Sequence, residues 1–149
     1  MNLMGRAFMA SLDCPFFAAD ALLEKLHEEG GSKVIIVDFH AEATSEKQAM
    51  GWYLDGRVRG VFGTHTHVGT VDAKILPKGT TYLTDVGMTG PQDSMIGSSV
   101  ETVLERFLTA LPNRLSVANG PCMLNSVLVD VDGETGKASL IERIDRRVN

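Results

Sequence analysis

The chain is sparing with cysteine, with positive charge and with long apolar runs. Its two cysteines, Cys14 and Cys122, are far apart and match no metal-binding spacing. That excludes a disulfide framework and makes reduced thiols in a cytoplasmic protein the expectation. Lys and Arg number 14 against 19 Asp and Glu, a formal net charge of -5. No clustered basic surface is then left for extended nucleic acid or for a membrane. A small phosphate compound remains admissible where bound cations supply positive charge locally. No apolar run approaches the ~20 residues of a membrane-spanning helix. The first residues carry no charged segment, apolar core and cleavage site of the signal-peptide kind. Internal repeats, low-complexity tracts and linkers are also missing.

What is present is ordinary for a globular protein: 44% hydrophobic and 22% charged residues. The 149 residues suit one domain over 1–149, burying about two-thirds of its unfolded surface. Asn2-Leu3-Met4-Gly5-Arg6 resembles the tail of a strand running straight into a loop. Pro15 suits the first turn of a helix reaching about Glu29, with Ala19, Leu22, Leu23 and Leu26 as its apolar stripe and Gly30 as its stop. His27, among Lys25, Glu28 and Glu29, is read as a solvated surface residue. Val34 to Phe39 is a β-branched run of the kind buried on both faces of a sheet. Ser45-Glu46-Lys47-Gln48 has capping-box spacing for a helix over 46–53. Val58 to Phe62 reads as a second buried strand. Val71 to Leu76 and Thr80 to Val86 read as a hairpin turning at Pro77-Lys78-Gly79.

Gly87-Met88-Thr89-Gly90-Pro91 is rich in breakers and reads as a loop. Ser98 and Glu101 form a second capping box, opening a helix whose stripe, Val100, Val103, Leu104, Phe107, Leu108 and Leu111, is assigned to the core. Residues 114–118, 122–131 and 138–144 read as strands, the last two joined by a turn over 132–136. Early strands alternate with helices and later ones form meanders, which predicts a mixed α/β sandwich with helices outside.

Three of the four histidines stand where apolar runs end. His40 closes one run, and His65 and His67 follow another in Gly63-Thr64-His65-Thr66-His67-Val68. Ligand chemistry in open α/β sheets collects beyond the carboxyl ends of strands. Imidazoles at i and i+2 of an extended segment point to the same side, and imidazole is the commonest metal ligand. His40, His65 and His67 are therefore the expected metal ligands. Asp38 and Asp85 are the candidates for orienting them by hydrogen bonds, while Glu42 and Asp72 complete the local acids. Asp38 and Asp85 also have a reading as turn-formers, and His-Thr-His has one as a capped strand end. Arg57 and Arg59, flanking a turn, are assigned to the surface rather than to phosphate. A His-x-His strand end also occurs in amidohydrolase barrels, but those need about 250 residues and eight βα units.

The segments Asp38-Phe39-His40-Ala41-Glu42-Ala43-Thr44-Ser45-Glu46-Lys47, Gly63 to Val68, Ile75-Leu76-Pro77-Lys78-Gly79-Thr80 and Thr84 to Pro91 together resemble the YmdB family. These are bacterial calcineurin-like metallophosphoesterases that hydrolyse cyclic-nucleotide phosphodiesters, including the 2′,3′-cyclic type. The resemblance covers the whole chain. It implies an α/β (α+β) fold, the C-terminal portion of a four-layer αββα sandwich with mixed sheets. It further implies two divalent metals, iron or manganese, with His40 and His65 on one and His67 on the other, and a metal-bridging hydroxide as nucleophile. The implied substrate is a small-molecule phosphodiester, a cyclic nucleotide.

The family's Gly-Asp, Asn-Gly-Glu-Asn and Gly-Asn-His motifs have no counterpart here, so the expectation is a chain matching the C-terminal part only. No proton-donating histidine, and hence no catalytic residue, is assigned. At most one weakly bound metal and impaired turnover are expected. The expected partner is a second copy, as a homo-oligomer, or the missing N-terminal half. The alternative reading is a non-catalytic metal- or nucleotide-binding regulatory module.

Overall fold

Alternation along a strand decides which side of this molecule is covered. The structure is a computed structural model that describes residues 1–148. Its first part runs β1 (Asn2–Met4), α1 (Pro15–Glu28), β2 (Ile36–His40), α2 (Thr44–Tyr53), β3 (Gly60–Thr64), β4 (Lys74–Ile75) and β5 (Thr81–Leu83). These strands form one mixed sheet in the order β1-β2-β3-β5-β4, parallel except for the β4–β5 pair. In register, Leu3 lies beside Phe39, and Val37, Val61 and Tyr82 form a row. That side carries the core, against Ala19 of α1 and Met50 of α2. The fold is mixed α/β with a mixed sheet, as expected.

The other side of β2 is only partly covered by the described residues. Ile36, Asp38 and His40 are exposed or half-buried while Val37 and Phe39 are fully buried, so the strand is buried on one face, not two. Both helices pack on the same face, which leaves the opposite one open at the β1–β2 end. α1 and α2 follow the predicted spans closely. Pro15 sits at the start of α1, and Gly30 ends it with φ of 68°.

The capping boxes are not used as the spacing predicted. α2 starts at Thr44, which puts Ser45 inside the helix and leaves Ala43 before it with no side-chain cap. The Glu46 carboxylate accepts instead from the backbone N–H groups of Arg6 (3.0 Å) and Ala7 (3.2 Å) in the loop after β1. The predicted hairpin is real but short. Gly79 adopts φ of 95° in its turn, and Asp55 accepts from Lys78 N–H at 3.0 Å and Thr80 N–H at 3.3 Å. Val71 is exposed, because Asp72 turns back to accept from the Thr84 hydroxyl at 2.6 Å.

The second part comprises β6 (Gly90–Pro91), α3 (Val100–Thr109), β7 (Cys122–Leu124), β8 (Val127–Val131), β9 (Ala138–Arg143) and β10 (Arg146–Val148). β10, β7 and β6 make one small sheet, and β8 with β9 a hairpin whose second strand approaches β4 and β5. The breaker-rich loop thus contains a short strand. The expected strand over 114–118 is reduced to one bridge, Ser98 with Val117. The run over 122–131 is split at Asn125, whose amide leaves the ladder to donate to the Met88 carbonyl at 2.6 Å.

Helix α3 departs most from expectation. Its cap is Ser99, not Ser98, with Ser99 Oγ accepting from Thr102 N–H. None of its residues is buried, and Phe107 and Leu108 are 80% and 83% exposed. The stripe was assigned to the core; instead Val100 and Val103 are half-buried and Leu104, Phe107, Leu108 and Leu111 are exposed. No helix is long and apolar enough to cross a membrane, among the described residues.

Candidate metal centre

The open face of the sheet carries the histidines. β2 and β3 end together, with His40 beside Thr64 in register. Asp38, two residues before His40, lies on the same face. Thr64 Oγ1 is 3.0 Å from Asp38 Oδ1 and 3.0 Å from His40 Nδ1, and Asn2 Nδ2 donates to Asp38 Oδ2 at 2.8 Å. Asp38 therefore reaches His40 through the threonine hydroxyl rather than directly.

Beyond Thr64 the chain turns sharply. His65 and His67 have φ of 121° and 65°, a region that residues with a side chain seldom occupy and that concentrates at functional sites. The segment is not extended, so the two imidazoles do not share one side. His65 swings onto His40, its Nδ1 3.0 Å from His40 Nε2, with the rings 82° apart. Its other nitrogen, Nε2, meets Glu42 Oε2 at 2.6 Å. His67 instead donates from Nδ1 to the Ile96 carbonyl at 3.0 Å. Two of the three predicted ligands are together and the third is separate.

Asp85 serves the loop's backbone rather than an imidazole. It pairs with Lys47 Nζ at 2.8 Å, both side chains being 1% exposed. It also accepts from Thr66 N–H at 3.0 Å and Gly87 N–H at 2.9 Å. Thr66 lies between the two histidines, so this buried carboxylate fixes the strained turn. Burial alone would raise its pKa, but Lys47 and the N–H donors outweigh it and hold the carboxyl below its ordinary value. Asp72 behaves alike: burial is outweighed by hydrogen bonds from Thr70 and Thr84, and its pKa is lowered. Gly63 matters for clearance, since a Cβ there would collide with the Thr84 carbonyl.

Two residues that hold the site went unassigned in the sequence. Lys47 shares its helix face with Met50, Gly51 and Leu54, all buried; a lysine at i, i+3, i+4, i+7 spacing with buried residues is the signal that marks a paired internal charge. Glu42 was only one acid among several, and its proximity to His65 depends on the turn at residue 65. Arg57 and Arg59 precede β3, at the opposite rim from the histidines. Arg57 is exposed and pairs with Asp20 at 2.6 Å, in keeping with its surface assignment, whereas Arg59 is half-buried and its Nε is buried without a hydrogen-bond partner among the described residues.

A cleft of about 490 Å³ opens beside His67, walled by Met88, Gly90, Pro91 and Asn125 among others. The breaker-rich segment is thus one wall of a ligand-sized hollow. Among the described residues no three His, Cys, Asp or Glu side chains group tightly enough to hold one ion. The residues fit part of a metal centre even so. Ligating histidines rest their second ring nitrogen on a carboxylate or carbonyl, as His65 does on Glu42 and His67 on Ile96. The nitrogens left over on His40 and His65 face one point.

A family model described as YmdB-like protein matches residues 1–144. The 2′,3′-cyclic-nucleotide 2′-phosphodiesterase of Bacillus subtilis is 54% identical over 144 residues, which are 97% of this chain and 54% of that protein. A putative phosphatase/phosphodiesterase of Mycoplasma genitalium is 40% identical over 146 residues, 96% of this chain and 50% of that one. Among solved structures, a hypothetical protein from Thermus thermophilus superposes with a TM-score of 0.88 at 47% identity, covering 99% of this chain and 56% of that one. A novel phosphatase from Mycoplasma pneumoniae superposes with a TM-score of 0.88 at 38% identity, covering 99% and 52%. The chain spans about half the length of the relatives it matches.

Proposed function

This chain belongs to the family of YmdB-like proteins, and from that premise we propose that it carries the histidine-bearing part of a metal-dependent phosphodiesterase acting on cyclic-nucleotide phosphodiesters. The observation that carries the reading is the approach of His40 Nε2 and His65 Nδ1 to 3.0 Å at the rim of an open sheet face. Two imidazoles meeting at a point would hold one divalent cation, iron or manganese in this reading. His67, whose Nδ1 is taken by the Ile96 carbonyl, would offer Nε2 to a second. A pair of such ions, when bound, would supply Lewis-acid polarisation of the phosphoryl oxygens and activation of a water nucleophile.

The chain's own residues divide the remaining work. Glu42 holds the His65 ring from behind, and Asp85 with Lys47 fixes the turn that carries both imidazoles. The cleft beside His67 takes the phosphodiester. Two imidazoles are fewer donors than a catalytic ion needs, so the other ligands come from outside the described residues. The names of the relatives, one a phosphodiesterase and others phosphatases, support the reaction class. The free thiols of Cys14 and Cys122 support a cytoplasmic location, and the bare apolar face of α3 supports self-association with a second copy. The shortfall of donors also favours a second reading, a metal- or nucleotide-binding module without turnover.

The test joins this chain to the corresponding preceding segment of the Bacillus subtilis relative and assays a 2′,3′-cyclic nucleotide with manganese or iron. Turnover that requires metal and disappears in His65→Ala is expected. A folded fusion that binds metal or nucleotide without turnover would establish the second reading instead, and metal-independent turnover would end the metal-centre assignment.

A further inference from the structure

We propose that Thr64 and Glu42 are positioning residues that hold His40 and His65 in opposite tautomers, so that two different ring nitrogens present lone pairs to one point. The purpose of this arrangement rests on the metal-centre reading, while the placing of each hydrogen follows from which groups donate and which accept. The Thr64 hydroxyl has a single hydrogen and two neighbours at 3.0 Å, Asp38 Oδ1 and His40 Nδ1. A carboxylate only accepts, and Asp38 is already the acceptor for Asn2 Nδ2 at 2.8 Å. The hydroxyl hydrogen therefore goes to Asp38. Thr64 Oγ1 is left as an acceptor, and His40 Nδ1 must carry the hydrogen that meets it. In the neutral ring Nε2 then keeps its lone pair.

His65 is set the other way round. The Glu42 carboxylate lies 2.6 Å from its Nε2, so that nitrogen carries the hydrogen and Nδ1 keeps the lone pair. The two lone-pair nitrogens, Nε2 of His40 and Nδ1 of His65, are the two that approach to 3.0 Å. A point faced by two lone pairs is filled by a hydrogen or a cation. Register makes the arrangement heritable from the backbone: Asp38, His40 and Thr64 stand on one sheet face because β2 and β3 pair residue for residue. A valine at 64 would fill the same volume and donate or accept nothing, while a serine would keep the relay.

The test uses the chain labelled with ¹⁵N in histidine. Long-range ¹⁵N–¹H correlation spectra are recorded at alkaline pH, with the rings neutral, and manganese affinity is measured separately by titration. Expected are the Nδ1–H form for His40 and the Nε2–H form for His65. In Thr64→Val the His40 ring should redistribute between forms and manganese binding weaken about 10- to 100-fold, the usual loss for a ligand's outer partner. Thr64→Ser should restore both. Glu42→Ala, at an exposed residue, should redistribute His65 alone, so a folding failure in Thr64→Val leaves the proposal testable. A His40 ring found as Nε2–H in the parent chain, or tautomers unmoved in Thr64→Val and Glu42→Ala, would overturn it. Tautomers as stated in a chain that binds no manganese, alone or joined to the preceding segment of the Bacillus subtilis relative, would support the relay while refuting the metal reading.

Discussion

Breaking the pair between Lys47 and Asp85 should cost this protein a large part of its stability. The Nζ to Oδ2 distance is 2.8 Å and both side chains are 1% exposed, so neither charge can be rehydrated without opening the fold. Removing one partner of such a pair costs about 3–5 kcal/mol, because the other is left buried and unpaired. Unfolding entropy of about 2.1 cal/mol/K per residue gives about 0.3 kcal/mol/K for 149 residues. Lys47→Met should then lower the melting temperature by about 10–16 °C, measured by calorimetry. Asp85→Leu should cost at least as much, since Thr66 N–H and Gly87 N–H lose their acceptor too. The double variant should recover part of the loss of the singles, as apolar replacements of buried pairs do. It should not recover the strained turn, so hydrogen exchange at the Thr66 amide should stay fast. A shift under about 3 °C in Lys47→Met would refute the reasoning, as it would mean water reaches the pair.

Three further outcomes follow from other contacts. Gly63→Ala should prevent folding or cost more than the Lys47 variant, because the new Cβ meets the Thr84 carbonyl and backbone cannot give way cheaply; circular dichroism of the purified variant decides it. Stability against pH should fall at both ends. Asp72 and Asp85 are held below their ordinary value of 3.8, so the stability they contribute is present above that value and lost as pH falls through their folded values. Burial pushes the Tyr82 phenol up from 10.0 to about 12, so its contribution is complete below pH 10 and lost as pH rises towards 12. Denaturant midpoints across pH measure both, and Asp72→Asn should flatten the acid limb. The chain should self-associate through the bare face of α3, seen by sedimentation velocity, and return towards a monomer in Phe107→Asp with Leu108→Asp. A monomeric parent chain would count against that face as an interface.

Strand and helix positions were largely legible, and the reasons for the failures are local. Pro15 and Gly30 bracket α1 as read, and the β-branched run before His40 is a strand. That the strand is covered on one face only depends on both helices crossing on the same side, which no single run reveals. Ser45 with Gln48, and Ser98 with Glu101, had the spacing of capping boxes, but spacing does not show that α2 will already start at Thr44 or that the cap of α3 will fall at Ser99. The stripe on α3 has true helical periodicity, and periodicity is silent about whether anything packs on it. The histidines were the legible part of the site. Their directions were not, because the reading assumed an extended segment and His65 and His67 adopt positive φ. Lys47 was legible in principle, from its place on the buried face of α2.

The most direct test of the paired histidines is X-ray absorption of the chain loaded with one equivalent of manganese. The account predicts first-shell nitrogen with the outer-shell scattering of two imidazoles, reduced to one in His40→Ala and in His65→Ala. A spectrum without imidazole scattering, or one that neither substitution changes, would contradict it.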